Sequence, residues 1–310
     1  MSDRRSRAVS LRFALCALLV AQRAWAQAPV EAVSLLGDSL RRPALPAAAE
    51  ARMVAQLREA EKEYGHRGTA DALIWVGRRT AYLGRFTEAI AIYSSGLAKD
   101  RNEARLYRHR GHRYLTTRQL DRAIGDLQYA AQLTRGKPDQ VEPDGQPNAK
   151  NIPTSTLQSN IWYHLGLAYY LKGDFRKALG AYRECLKVSK NDDMQVATRH
   201  WLYMTLRRMG RTDEAAEVLF PVRRDMNVIE NDAYLKLLLL YQGKLSSDSL
   251  SAAGEGDAAL QDATVSYGLG NWHFYNGRKA QAIAIWRRIL ETGPWASFGY
   301  LAAEAELARQ

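Results

Sequence analysis

Cysteine is nearly missing from this chain, with Cys16 and Cys185 the two among 310 residues. Proline is also scarce at nine, and four of those nine crowd between Pro138 and Pro153. No stretch has the length of a membrane-spanning helix; the apolar run Tyr234–Tyr241 is short and carries Lys236. The signatures of several chemistries are missing too. There is no His-Glu-x-x-His, no Gly-x-x-x-x-Gly-Lys and no Gly-x-Ser-x-Gly. Gly254-Glu255-Gly256 and Gly268-Leu269-Gly270 lack the rest of any nucleotide motif. Asp144 and the pair Asp192-Asp193 fit no calcium loop. His109 and His112, three apart, have no carboxylate or thiolate at ligand spacing and lie among arginines, so they read as solvated or ligand-facing. The sequence predicts no enzyme, no metal and no cofactor.

What is present is ordinary for a folded chain, with 46% hydrophobic and 25% charged residues, but the formal charge is +11. Part of that charge sits at the start. Arg4, Arg5, Arg7, Arg12 and Arg23 against Asp3 give residues 1–26 a net +4, leaving +7 for the rest. Basic residues, the short apolar run Phe13–Ala21 and small residues at Ala24 and Ala26 have the form of a secretory signal peptide cleaved near Ala26. Arg4-Arg5 lacks the context of a twin-arginine signal, and Cys16 lies inside the apolar run without the small residue that lipidation requires. The expected location is periplasmic or secreted. After cleavage Cys185 has no partner for an internal disulfide and reads as an inert core thiol.

One local pattern recurs. Its clearest copy is Trp162-x-x-Leu165-Gly166-x-x-Tyr169, followed by Gly173, Ala178 and Tyr182. Leu73, Val76, Gly77, Gly84, Phe86, Ala89 and Tyr93 repeat it, and Gly77 and Gly111 stand 34 residues apart, as do Gly243 and Gly277. Trp162, Leu165 and Tyr169 fall on one helical stripe, as do Phe175, Ala178, Tyr182 and Cys185. The glycine of the first helix and the alanine of the second let the two helices approach, with Trp162 expected at their contact. Neither stripe can be covered within one unit, so neighbouring units must stack.

On these residues the chain resembles the tetratricopeptide-repeat family over nearly its whole mature length. The resemblance implies an all-α solenoid of about six helix–turn–helix repeats, near 70–103, 104–137, 159–192, 196–228, 229–262 and 263–296. The fourth has Tyr203 where glycine is typical, and the fifth loses its second-helix pattern between Ser246 and Gly256. A signal peptide (1–26), a proline-rich linker (27–48) and a capping helix (49–69) precede a solenoid over 70–309, closed by a second capping helix over Ala296–Ala308. An inserted loop over 137–158 separates the second and third repeats. It reads either as a tether or as a loop pinned beside the groove by Val141, Ile152 and Leu157; loops this long usually have a function or no fixed structure.

In this family the first helix of each repeat lines a concave ligand face. The resemblance places there Arg78 and Tyr82, then Arg105, Arg108 and His112, then Asn160, Tyr163 and Tyr170. The fourth repeat adds His200, Arg207 and Arg208, and the sixth adds Tyr267, Asn271 and Tyr275. A face both aromatic and basic suits an extended, acidic peptide or protein segment. The lysine–asparagine clamp of some relatives is absent, its places being held by Ile74, Arg78 and His109. The predicted function is a protein-binding scaffold of the cell envelope, with a membrane-associated partner allowed and nucleic acid disfavoured by export. The competing reading is an anionic polymer or lipid headgroups bound by the basic second repeat, which has seven arginines between Arg101 and Asp126.

Overall fold

In a computed structural model, residues 28–251 and 258–310 are described. The proposed signal segment, Cys16, Gly254–Gly256 and part of the fifth repeat's second half lie outside them. A small antiparallel hairpin, β1 (Val30–Val33) and β2 (Ser39–Arg41), is followed by fourteen helices among the described residues. The first, α1 (Ala47–Arg67), packs along α2. Helical hairpins follow as α2 (Ala70–Tyr82) with α3 (Phe86–Lys99), α4 (Ala104–Thr116) with α5 (Leu120–Thr134), and α6 (Leu157–Leu171) with α7 (Phe175–Val188). Next come α8 (Asp192–Arg208) with α9 (Thr212–Leu219), α10 (Asp232–Tyr241) with the short α11 (Ser247–Ser251), and α12 (Ala258–Tyr275) with α13 (Lys279–Thr292). The last helix is α14 (Phe298–Ala308). The all-α solenoid is the fold observed.

The small residues do the work the pattern assigns them. A side-chain carbon on Gly166 would sit 2.6 Å from the Tyr182 ring, and one on Gly270 would sit 2.5 Å from Trp286 Nε1. These glycines bring the paired helices together over a large aromatic. Tyr203, which replaces the glycine in the fourth repeat, stacks on Tyr241 at 4.5 Å instead. Trp162 is only partly buried; the fully enclosed tryptophans are Trp201 and Trp286. The Trp162 expectation is therefore corrected: its ring lines an open groove beside Tyr129 and Tyr169.

Several other expectations change. Residues 27–48 are not simply a linker, because 30–41 form the hairpin, whose Glu31 carboxylate accepts the Thr87 N–H at 3.0 Å in the first turn of α3. A carboxylate there answers the unpaired N–H groups and positive end of that helix. The last helix does more than cap an open end. It packs on α12 and α13 and reaches across the concave side to α6, with Glu304 and Glu306 fully buried. Trp295 meets Phe86 edge-on at 5.3 Å and donates its indole N–H to the Arg41 carbonyl, so the C-terminal region touches the first repeat and the hairpin.

Candidate ligand-binding groove

The inserted segment decides the groove. It is ordered: Val141 bridges Thr156, the Glu142 N–H donates to Ser155 O at 3.0 Å, and the Leu157 N–H donates to Gln140 O at 2.8 Å. The apolar pins expected from sequence are not what hold it, since Val141 and Ile152 are 65% and 50% exposed and only Leu157 is buried. Polar contacts hold it instead. Glu142 receives Arg108 at 3.0 Å and Asn160 at 3.1 Å, with His109 Nε2 at 3.5 Å. Arg78 donates to the Pro143 carbonyl at 2.7 Å and Arg79 to the Gly145 carbonyl at 2.8 Å. Tyr82 and Arg78 press so closely on Gly145 that any side chain there would collide with them. Farther along, Glu230 accepts from Asn148 and Thr154, at 2.7 and 2.8 Å. Glu230 is presented by a loop whose backbone N–H groups at Ile229, Glu230 and Asn231 all donate to buried Asp193.

Between this strap and α4, α6, α8, α10 and α14 lies a concave pocket of about 440 Å³. Arg108, His112, Asn160, Tyr163, His164, Glu230, Tyr234 and Phe298 are among its walls. Next to it, under the strap, a smaller cavity of about 210 Å³ is lined by Arg78, Tyr82, Arg108, His109, His112 and Arg113. Burial pushes His109 and His164 well below the ordinary imidazole range, reinforced by the Arg108 charge, and burial beside Arg113 does the same to His112. At neutral pH the positive charge of the groove therefore comes from arginines alone.

Of the residues placed on the groove from sequence, Arg78, Tyr82, Arg108, His112, Asn160 and Tyr163 are brought together. Tyr163 is nearly enclosed, accepting from the Trp201 indole at 2.7 Å and lying 3.1 Å from the Tyr234 hydroxyl. The others do not face a ligand. Tyr170, His200, Tyr267 and Asn271 are at most 1% exposed. Tyr267 and Asn271 donate to the Tyr170 hydroxyl at 2.9 and 2.8 Å, and Trp201 stacks on Tyr267. The solenoid curls tightly enough that α12 packs into the concave side, so these polar groups seal an interior network. Arg105 turns to Asp71 and Glu103; Arg207 lies over the Tyr275 ring and donates to the Tyr275 carbonyl; Arg208 pairs with Glu306. Sequence reasoning missed Tyr234, Glu230, His164 and Phe298. Tyr234 and Glu230 come from the fifth repeat and the loop before it, where the pattern is weakest. His164 lies two places before Gly166 and Phe298 at the start of the last helix.

The basic second repeat is not a continuous surface. Arg105, Arg108, Arg110 and Arg118 pair respectively with Asp71 and Glu103, Glu142, Asp126 and Glu304. Arg113 faces the small cavity, leaving Arg101 and Arg122 outward. Cys185 is buried, within 3.2 Å of Thr198 Oγ1, and burial pushes its thiol up to about 11. Among the described residues there is no cluster suited to a metal ion and no helix long and apolar enough to cross a membrane.

Stacked helical hairpins around a concave pocket define a class of protein-interaction scaffold. Residues 159–192 match the family model of the tetratricopeptide repeat, and helical hairpins of the same build stand on either side of them. Solved structures similar to it include MamA, at 18% identity over 57% of this chain and 92% of that one, TM-score 0.42. YrrB, described as a tetratricopeptide-repeat protein with an unusual peptide-binding site, is 16% identical over 80% of this chain and 97% of its own, TM-score 0.42. A tetratricopeptide-repeat protein from Parabacteroides merdae is 14% identical over 85% and 94%, TM-score 0.48. No curated protein matches the chain significantly.

Proposed function

We propose that this chain is an exported scaffold of the bacterial envelope whose groove receives an extended acidic segment of a partner protein. The observation that carries the reading is the strap. Glu142 on Arg108 and Asn160, with the Pro143 carbonyl on Arg78, is an acidic extended segment already gripped by groove residues. A partner segment of the same chemistry would use the same donors and extend into the neighbouring pocket, where Tyr234 and Phe298 offer apolar area. Because the strap is tethered beside the groove, it competes at high effective concentration.

The test uses a labelled peptide of residues 139–147 added in trans. The doubly substituted chain Glu142→Gln/Gly145→Ala, whose own strap is loosened, should bind it at least tenfold more tightly than the parent chain. A peptide with its glutamate replaced by glutamine should lose that gain. Equal binding of both peptides, or none to the loosened chain, overturns the reading.

A further inference from the structure

Arg108 of the small cavity pairs with Glu142 and Arg78 donates to the Pro143 carbonyl, but Arg113 has neither kind of partner. Its guanidinium makes no ion pair within 4 Å and no hydrogen bond among the described residues; its aromatic neighbour is Phe86, 5.6 Å to the ring centre. Arg78 and Arg108 share its cavity, so three guanidinium groups face two carboxylates, Glu142 and Asp144. Glu142 is already held by Arg108, and the two histidines of the cavity are neutral at pH 7. Burial depresses the Arg113 guanidinium to about 10, with the like charges of Arg108 and Arg78 acting in the same direction. Removing a cation from water without a partner costs several kcal/mol, so a protein keeps such a group where something answers it.

The cavity itself limits what that can be. At about 210 Å³ it falls below the ~300–1,000 Å³ of drug-sized sites, and one wall is the strap, through Glu142, Pro143 and Asp144. A polypeptide cannot thread it while the strap is seated. Tyr82 and Tyr93 supply flat, largely apolar walls beside the cationic one. A planar guanidinium on one side and aromatic faces on the other match a carboxylate on a short carbon skeleton.

We propose that the cavity under the strap binds a small organic carboxylate, with Arg113 as its anchoring cation. The ligand completes the charge balance between α2, α4 and the strap, and so stabilises the strap-seated form. The cavity shares Arg108 and His112 with the neighbouring partner-binding pocket, but its anchor Arg113 lines the small cavity and not that pocket, and its test does not require a partner.

The intact chain is melted in chloride of fixed ionic strength while sodium acetate, succinate or phosphate replaces part of the chloride. A carboxylate should raise the midpoint saturably, as expected for a ligand that binds only the folded state. Arg113→Met should melt no lower than the parent without ligand, because it removes an unpaired, partly buried charge, yet require at least tenfold more carboxylate for half the effect. Arg113→Lys, which keeps the charge but not the planar fork, should retain a weakened response and serves if the methionine variant does not fold. Arg122→Gln, on the outer face, should respond like the parent. The proposal is overturned if no carboxylate differs from chloride, if phosphate is the stronger ligand, or if Arg113→Met responds at the parent's concentrations.

Discussion

Arg118 and Glu304, 186 residues apart, form a two-pronged ion pair at 3.1 and 2.6 Å, with side chains only 4% and 0% exposed. Arg118 stands where the other well-formed repeats turn on glycine: it lies 34 residues after Gly84 and adopts the same left-handed backbone, φ 62° against 71°. A non-glycine residue there is strained by about 1 kcal/mol or more. The side chain offsets that cost by joining the second repeat to the last helix. Glu304 also accepts the Leu35 N–H at 2.6 Å, so one carboxylate ties hairpin, second repeat and C-terminal helix together.

Breaking that pair is expected to be costly. Glu304→Gln leaves Arg118 buried without its counter-charge and should destabilise the chain by about 3–5 kcal/mol in urea denaturation. Arg118→Gly combined with Glu304→Leu removes both charges and the backbone strain, and should cost less than the sum of the two single changes. Additive effects would mean the two residues are not coupled.

Acid should weaken the fold before carboxylates begin to titrate. Burial lowers His200 to about 3 and holds His109, His112 and His164 well below their ordinary range. With folded values below the unfolded value of about 6.5, their contribution is complete above that pH and lost as pH falls toward the folded values. For His200 alone the loss is about 2 kcal/mol at pH 5. Urea midpoints at pH 7.5 and 5.0 read the slope, and His200→Phe should flatten it whatever its effect on the midpoint. An unchanged slope in that variant refutes the assignment.

Tryptophan substitutions separate core from groove. Trp286 is fully buried, and Trp286→Ala should cost about 3–5 kcal/mol. Trp162, partly buried beside its surface groove, should cost only about 1–2 kcal/mol as alanine. Equal losses in the two variants would place Trp162 in the core after all.

Export has its own check. N-terminal sequencing of chain recovered from the envelope fraction should begin near Gln27. Soluble cytosolic chain that retains Met1 and is absent from the envelope would remove the proposed location.

The repeat is legible because its chemistry is local. Glycines at a 34-residue offset, each facing a large residue such as Tyr182 or Trp286, need only the two helices of one hairpin to make sense. Arg78, Arg108 and Asn160 are legible as groove residues for the same reason, since a first helix always turns the same side inward. The inserted segment 137–158 is visible as an interruption, but its hold on the groove is not. Glu142 and Gly145 carry no pattern of their own, and what matters is the donor each one meets.

The sequence alone determines the helical period, the paired stripes that force stacking, and an arginine-rich second repeat, because these depend on neighbours a few residues away. Tertiary structure alone decides how far the solenoid curls. That curl places Tyr267 and Asn271 on Tyr170 rather than before a ligand, and sets Glu304 against Arg118. It also leaves Arg113 facing a cavity without a partner. The small rotation between successive hairpins accumulates along the chain, so whether a concave residue faces solvent, strap or another helix depends on segments more than a hundred residues away.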